Sequence, residues 1–162
     1  MQLAKGVEWG LHCCLALAWL GDAEPVPTAK LAAVFDLPPP YLNKRLQALV
    51  RAGILSSSPG VRGGFRLARA PERITLMDVV VAIEGPDDPF RCTEIRQHGA
   101  GADAEPGEFA QPCGIATAMR RAELAWRREL AAQSLADLMA ATPPASADRV
   151  RRYYARLSAT AT

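Results

Sequence analysis

The stretch that decides the fold is Asp36–Arg69, DLPPPYLNKRLQALVRAGILSSSPGVRGGFRLAR. Its first half has helical spacing: Leu42, Leu46, Leu49 and Val50 are apolar, while Asn43, Lys44, Arg45, Gln47 and Arg51 are polar. Pro39 or Pro40 falls in the first turn, where proline is tolerated, and Gly53 stops the helix. Two short apolar runs follow, Ile54-Leu55 and Phe65-Arg66-Leu67, joined by a loop that carries Pro59, Gly60, Gly63 and Gly64. That punctuation predicts a hairpin over residues 54–68. No carboxylate lies between Asp36 and Glu72, whereas Lys44, Arg45, Arg51, Arg62, Arg66 and Arg69 are all basic. A helix followed by a basic hairpin reads as a winged helix-turn-helix, whose helix fits the major groove of DNA and whose hairpin tip enters the minor groove. The plainer alternative is a solvated basic face on an ordinary α+β domain. Helix, stop, hairpin and one-signed charge coincide in one segment, which favours DNA binding.

Within this segment the residue types nominate the contacts. Asn43 and Gln47 suit adenine edges, Lys44 suits guanine or phosphate, and Tyr41 begins the same helix. Arg45 and Arg51 are expected as phosphate contacts or as solvated side chains. Arg62, between Gly60 and Gly63, is the minor-groove candidate.

The chain of 162 residues suggests one domain with an appended element. The net charge of +2 decides little, but its distribution does more. Residues 1–70 hold 8 basic and 4 acidic residues, residues 85–112 hold 2 and 6, and residues 113–162 hold 8 and 4. A polyanion would meet the first block and be repelled by the middle one. The apolar run Leu11–Leu20 has Glu8 ahead of it and lacks a cationic start and a cleavage site. It is too short to span a bilayer, so a cytoplasmic protein without membrane contact is expected. Four cysteines in a reducing compartment read as thiols or metal ligands rather than structural disulfides.

Outward from the central segment, the pattern predicts a first helix over residues 3–20 and a short second helix, Ala29–Phe35, with Thr28 as N-cap. After the hairpin, Thr75-Leu76-Met77-Asp78 resembles a capping box opening a helix Leu76–Ile83, which Gly85 closes. Residues 85–112 show little periodicity and read as a long loop. A long helix, Gly114–Gln133, then carries an apolar stripe of Ile115, Met119, Ala122, Trp126 and Leu130. Such a stripe needs a partner surface, and a two-fold helix pair suits a palindromic DNA site. Ser134 opens a last short helix, Leu135–Ala140, before a basic tail. The expected organisation is a winged-helix DNA-binding domain at 1–84, a ligand-bearing loop at 85–113, a dimerisation helix at 114–141 and a basic C-terminal tail at 142–162. The fold class is mainly α with a small β-hairpin.

Glu8 and His12 sit four apart on the first helix, so both project from one face. From the residues alone they are a surface ion pair or a ligand pair. Cys92 and Cys113, with twenty residues between them, are inert thiols, a regulatory disulfide, or zinc ligands together with Glu8 and His12. Cys13 and Cys14, inside an apolar helix, read as buried small hydrophobes. An enzyme has little support: no Gly-rich phosphate loop follows a strand, and His12 and His98 have no evident nucleophile partner.

The motifs Leu46-x-x-Leu49-x-x-Ala52-Gly53-Ile54-Leu55-x-Ser57, Gly60-x-Arg62-Gly63-Gly64-Phe65-x-Leu67, Ile74-Thr75-Leu76-x-Asp78-Val79 and Glu84-Gly85 resemble the bacterial IscR/NsrR/RsrR family of winged-helix regulators. The RsrR branch is the most similar, through Gly6-Val7-Glu8-Trp9, Leu11-His12-Cys13-Cys14, Cys92-Thr93-Glu94-Ile95-Arg96 and Cys113-x-Ile115-Ala116. The resemblance implies a homodimeric transcription factor in which an iron–sulfur cluster tunes DNA binding. Most cluster-binding relatives have three closely spaced cysteines before the long helix, whereas this chain has two, and two thiolates cannot complete a cluster that takes about four ligands. Carried over residue by residue, the RsrR-like ligand set falls on Glu8 and His12 of one subunit and Cys92 and Cys113 of the other. That set suits a redox-sensing [2Fe–2S] cluster, with Trp9 as a gate whose position follows cluster charge. Zinc, or a Cys92/Cys113 thiol switch on the same fold, is the alternative.

Overall fold

The computed structural model describes residues 3–21, 23–105 and 107–159. The outermost residues of the expected first domain and of the expected tail, 1–2 and 160–162, lie outside that set. The described residues divide into two compact units, one of residues 87–129 and one of residues 3–86 with 130–159.

The larger unit is built on helices α1 (Lys5–Leu20), α2 (Thr28–Phe35) and α3 (Pro39–Arg51), the hairpin β1 (Leu55–Ser58) and β2 (Gly64–Leu67), and α4 (Leu76–Glu84). Each element starts and stops for a local reason. Proline occupies the first turn of α3. Gly53 then takes φ 67°, a left-handed conformation that only glycine adopts cheaply, and the amide of Ile54 donates back to Leu49 O at 3.0 Å. Thr75 and Asp78 close a full capping box on α4, the Asp78 amide donating to Thr75 Oγ1 at 3.1 Å and the Thr75 amide to Asp78 Oδ2 at 2.9 Å.

Thr28 corrects the expectation placed on it. It is the first residue of α2, and Pro27 holds the cap position, its carbonyl accepting from Lys30 and Leu31. A proline locked in extended φ pre-organises that entry, which frees the Thr28 hydroxyl for another contact.

The hairpin pairs antiparallel, with Leu55 opposite Leu67 and Ser57 opposite Phe65. Val26 forms an isolated antiparallel bridge to the hairpin through two hydrogen bonds to Phe65, at 2.8 and 2.9 Å. Phe65 is thereby drawn into a core with Leu17, Leu31, Leu42, Leu46 and Leu49, all essentially buried. Cys13 and Cys14 belong to that core at 0% exposure.

The chain returns to this unit at Leu130, and the bridge of Ser134 to Thr75 sets two capping boxes side by side. Helix α6 (Leu135–Ala141) follows and buries Leu135. The expected tail is a 16-residue helix, α7 (Pro144–Ala159), packed on α1 and α2. Val150 is buried there, Lys30 Nζ donates to Ser158 Oγ at 2.8 Å, and Arg151 Nε donates to the Trp19 carbonyl at 2.9 Å.

The smaller unit contains most of α5 (Gly114–Ala131) and the segment before it. That segment is more ordered than the aperiodic sequence suggests, with 3₁₀ turns at Ile95–Gln97 and Gly99–Gly101. Arg127 ties its start to α5. It donates to Glu123 Oε1 at 2.7 Å and to the Asp87 carbonyl at 3.3 Å, and pairs with Asp88 at 3.5 Å. The stripe on α5 is open: Ile115 is 68% and Met119 43% exposed. Among the described residues no helix is long and apolar enough to cross a membrane.

Candidate functional site

Helix α3 buries Leu42, Leu46 and Leu49 and turns its polar residues outward. Tyr41, Asn43 and Lys44 are exposed and Gln47 is half-buried. The Thr28 hydroxyl donates to Asn43 Oδ1 at 3.3 Å, so the first helix of the pair steadies a side chain of the second. Arg62 is exposed in the turn between the two strands.

Arg45 is not a fully solvated chain. It is half-buried against α1, where Gly6 leaves room for it: a Cβ on Gly6 would lie 2.6 Å from Arg45 Nε. One turn on, a Cβ on Gly10 would lie 2.5 Å from Ile83 Cδ1 and 3.7 Å from Leu49 Cδ1. Two glycines four apart therefore make a bare strip along which α1 seats on α3 and α4. The signal available in the sequence was the Gly6/Gly10 spacing inside an otherwise apolar helix.

Glu8 and His12 are both exposed on α1. They do not pair with one another; the His12 ring instead lies 5.5 Å from that of Phe35, tilted by 48°. Trp9, between them in sequence, is half-buried against the core.

The two candidate thiols belong to the smaller unit. Cys113 stands at the N-terminus of α5, its carbonyl accepting from the Thr117 amide at 2.9 Å. The amides of Ala116 and Ile115 donate to its sulfur and hold the thiol below the ordinary thiol range, and the Arg96 cation adds to the effect. Cys92 is exposed and lines an apolar recess of about 440 Å³ with Phe90, Ala116 and Met119. Arg96 is pinned by Glu94, Nε to Oε1 at 2.5 Å and NH2 to Oε2 at 2.9 Å, and its charge acts on both thiols. In the sequence Glu94 and Arg96 stand out only as part of the run Cys92-Thr93-Glu94-Ile95-Arg96, with no role of their own, because an isolated acid–base pair in a loop carries no periodic signal.

Among the described residues, no three thiol, imidazole or carboxylate groups gather closely enough to hold a metal ion. The chemistry of Cys92 and Cys113 nonetheless fits half of a cluster site: two accessible sulfurs, one of them biased toward thiolate, beside a fixed cation.

This bias separates the four cysteines experimentally. Burial pushes the Cys13 thiol up to about 12, and burial together with Cys13 raises Cys14 as well. In metal-free, reduced protein, iodoacetamide is expected to modify Cys113 and Cys92 while sparing Cys13 and Cys14 until the chain is unfolded. Because the folded thiol of Cys113 is lowered, its rate should rise at a lower pH than that of free cysteine. Mass spectrometry of quenched samples reads both effects. A Cys113 profile superimposed on free cysteine would contradict this account of the helix terminus.

A family model described as Rrf2, an iron-dependent transcriptional regulator, matches residues 3–141. The chain belongs to the Rrf2 family. The HTH-type transcriptional regulator NsrR of Geobacillus kaustophilus is 30% identical over 86% of this chain and 90% of its own. The HTH-type protein YffB of Lactococcus lactis is 34% identical over 85% of this chain and 86% of its own. Among solved structures, CymR, the global cysteine regulator of Bacillus subtilis, superposes with a TM-score of 0.67 at 25% identity, covering 88% of this chain and 99% of its own. The family expected from the motifs and the winged-helix fold are thus both found, and DNA-binding transcription regulation follows at the level of the Rrf2 family. Helix α7 lies beyond the matched residues.

Proposed function

We propose that this Rrf2 protein is a homodimeric regulator whose operator affinity follows the redox state of a [2Fe–2S] cluster. The ligands are Glu8 and His12 of one subunit with Cys92 and Cys113 of the other. The observation that carries the reading is the sorting of the thiols. Two are sealed in the core, while the two in the smaller unit are accessible and share the field of Arg96. Glu8 and His12 are exposed and not paired with each other, so both are available as ligands. When bound, such a cluster supplies a one-electron centre, and nitrogen in place of sulfur on one iron raises its potential. The exposed stripe of Ile115 and Met119 on α5 supports pairing of two chains through that helix, which suits a palindromic site.

The test is the absorption spectrum of protein purified without oxygen, with iron and sulfide assays. Two iron and two sulfide per site are expected. Colourless, iron-free protein would end the reading. The second reading, a thiol switch through Cys92 and Cys113 or a zinc site on the same four residues, draws support from the likeness to CymR and from the lowered Cys113 thiol. It predicts DNA affinity that changes with thiol oxidation in iron-free protein.

For the DNA surface we propose Tyr41, Asn43, Lys44 and Gln47 in the major groove and Arg62 in the minor groove. Lys44→Ala is expected to weaken binding to all duplexes alike and to flatten the slope of log affinity against log salt by about one unit. Fluorescence anisotropy over a salt series measures it. An unchanged slope would remove Lys44 from the phosphate contacts.

A further inference from the structure

The twenty residues between Cys92 and Cys113 contain no sequence periodicity, yet one side chain recurs in the contacts that order them. Arg96 forks onto both oxygens of Glu94, at 2.5 and 2.9 Å. The NH2 group that reaches Glu94 also donates to the carbonyl of Gln111 at 3.1 Å, two residues before Cys113. Its guanidinium lies over the Phe109 ring, 5.1 Å from the centroid. Its own carbonyl is approached so closely by Gly101 that any side chain at that position would collide with it. Glu94 sits at φ 52°, a left-handed conformation that costs a non-glycine residue energy and persists only where the surroundings enforce it.

We propose that Arg96 is a positioning residue of this site: by gripping Glu94, Phe109 and Gln111 together it folds the segment back on itself, so that Cys92 and Cys113 present one dithiol pair beside a fixed cation. Removing the grip returns the sulfurs to the two ends of a loose twenty-residue loop, which must be closed again each time both engage one acceptor. The guanidinium also stays charged throughout, and offsets the negative charge of whatever the two thiolates hold. The inference rests on reading Cys92 and Cys113 as one site, and holds whether that site carries a cluster, zinc or a thiol switch.

Phenylarsine oxide, whose arsenic bonds two thiols at once and loses its oxygen as water, probes the pair without iron. Metal-free, reduced, full-length protein should take up one equivalent at Cys92 and Cys113, and Cys92→Ser should abolish the adduct. Arg96→Gln should weaken it by about 10- to 100-fold, the usual cost of losing a partner behind a ligand. Glu94→Gln should weaken it in the same direction, and Arg96→Lys, which keeps charge but not the planar fork, should recover it only in part. Continued protection of Cys13 and Cys14 from alkylation verifies that the larger unit remains folded. In iron-loaded protein, Arg96→Gln should move the midpoint potential downward and Arg96→Lys should not. Equal arsenical affinity in wild type and Arg96→Gln would overturn the proposal, as would a wild-type adduct confined to one cysteine. Missing visible absorption would instead sink the cluster and leave the arsenical result standing.

Discussion

Gly64→Ala is expected to destabilise the larger unit by about 3–5 kcal/mol and to abolish DNA binding. The reason is the bridge between Val26 and Phe65. Val26 and Phe65 exchange two backbone hydrogen bonds, at 2.8 and 2.9 Å, and this brings the backbone of Val26-Pro27 against Gly64. A Cβ there would overlap the carbonyl of Val26 and the nitrogen of Pro27, and neither is the end of a flexible side chain. The bridge must separate. Two hydrogen bonds are worth about 1–3 kcal/mol net. Phe65, only 4% exposed, leaves the core with them, and full loss of a buried phenylalanine costs about 3–5 kcal/mol. Against a typical total of about 5–15 kcal/mol the loss is severe. Gly60→Ala is the contrast. Its φ of 94° is strained for alanine, but nothing lies within 4 Å of a Cβ there, so only about 1–3 kcal/mol of backbone strain is expected. Urea unfolding of the two variants separates overlap from strain. Equal losses would show that the close approach to Val26 does not matter.

Much of this fold was written in local chemistry. The apolar spacing of Leu42, Leu46 and Leu49, the proline in the first turn of α3, Gly53 at its end and the boxes at Thr75 and Ser134 are each decided within a few residues. The buried state of Cys13 and Cys14 followed from their apolar neighbours in the same way. What the sequence hid depends on residues far apart. Arg45 looks like any basic residue on a recognition helix until Gly6, thirty-nine positions away, leaves it a seat. The segment before α5 looks structureless because its order comes from one arginine that joins neighbouring Glu94 to the more distant Phe109 and Gln111 rather than from repetition. Thr28 has the composition of a cap, but the proline before it takes that place. The resemblance singled out Cys92 and Cys113, whereas the reason the Cys113 thiol is lowered lies in its position at the start of α5.

If DNA binding follows a cluster's redox state as proposed, Gly6→Ala is expected to leave the fold intact and to collapse that redox dependence. Electrostatics alone cannot supply that dependence. One added electron acting on a phosphate about 25 Å away, at an effective dielectric near 20, is worth about 0.7 kcal/mol, or about threefold in affinity before salt screening. Driving a two-state switch from one extreme to the other takes about 5.5 kcal/mol. The remainder has to be mechanical, and α1 is the helix that carries Glu8, Trp9 and His12 on the same four turns as Gly6 and Gly10. Through the bare strip of those glycines α1 bears directly on Arg45 and Leu49 of α3. A shift of α1, which we assign to movement of the half-buried Trp9, therefore reaches the recognition helix without an intermediary. A methyl at Gly6 displaces the flexible end of Arg45, so the stability cost is small, but the contact that registers the position of α1 is lost. Duplex affinity of the oxidised and reduced forms measures the outcome. Wild type should differ by more than the electrostatic factor, and Gly6→Ala and Trp9→Ala should each fall to about threefold or less. If Trp9→Ala keeps the wild-type ratio, tryptophan movement is not the signal; if Gly6→Ala keeps it, the signal does not travel through Arg45.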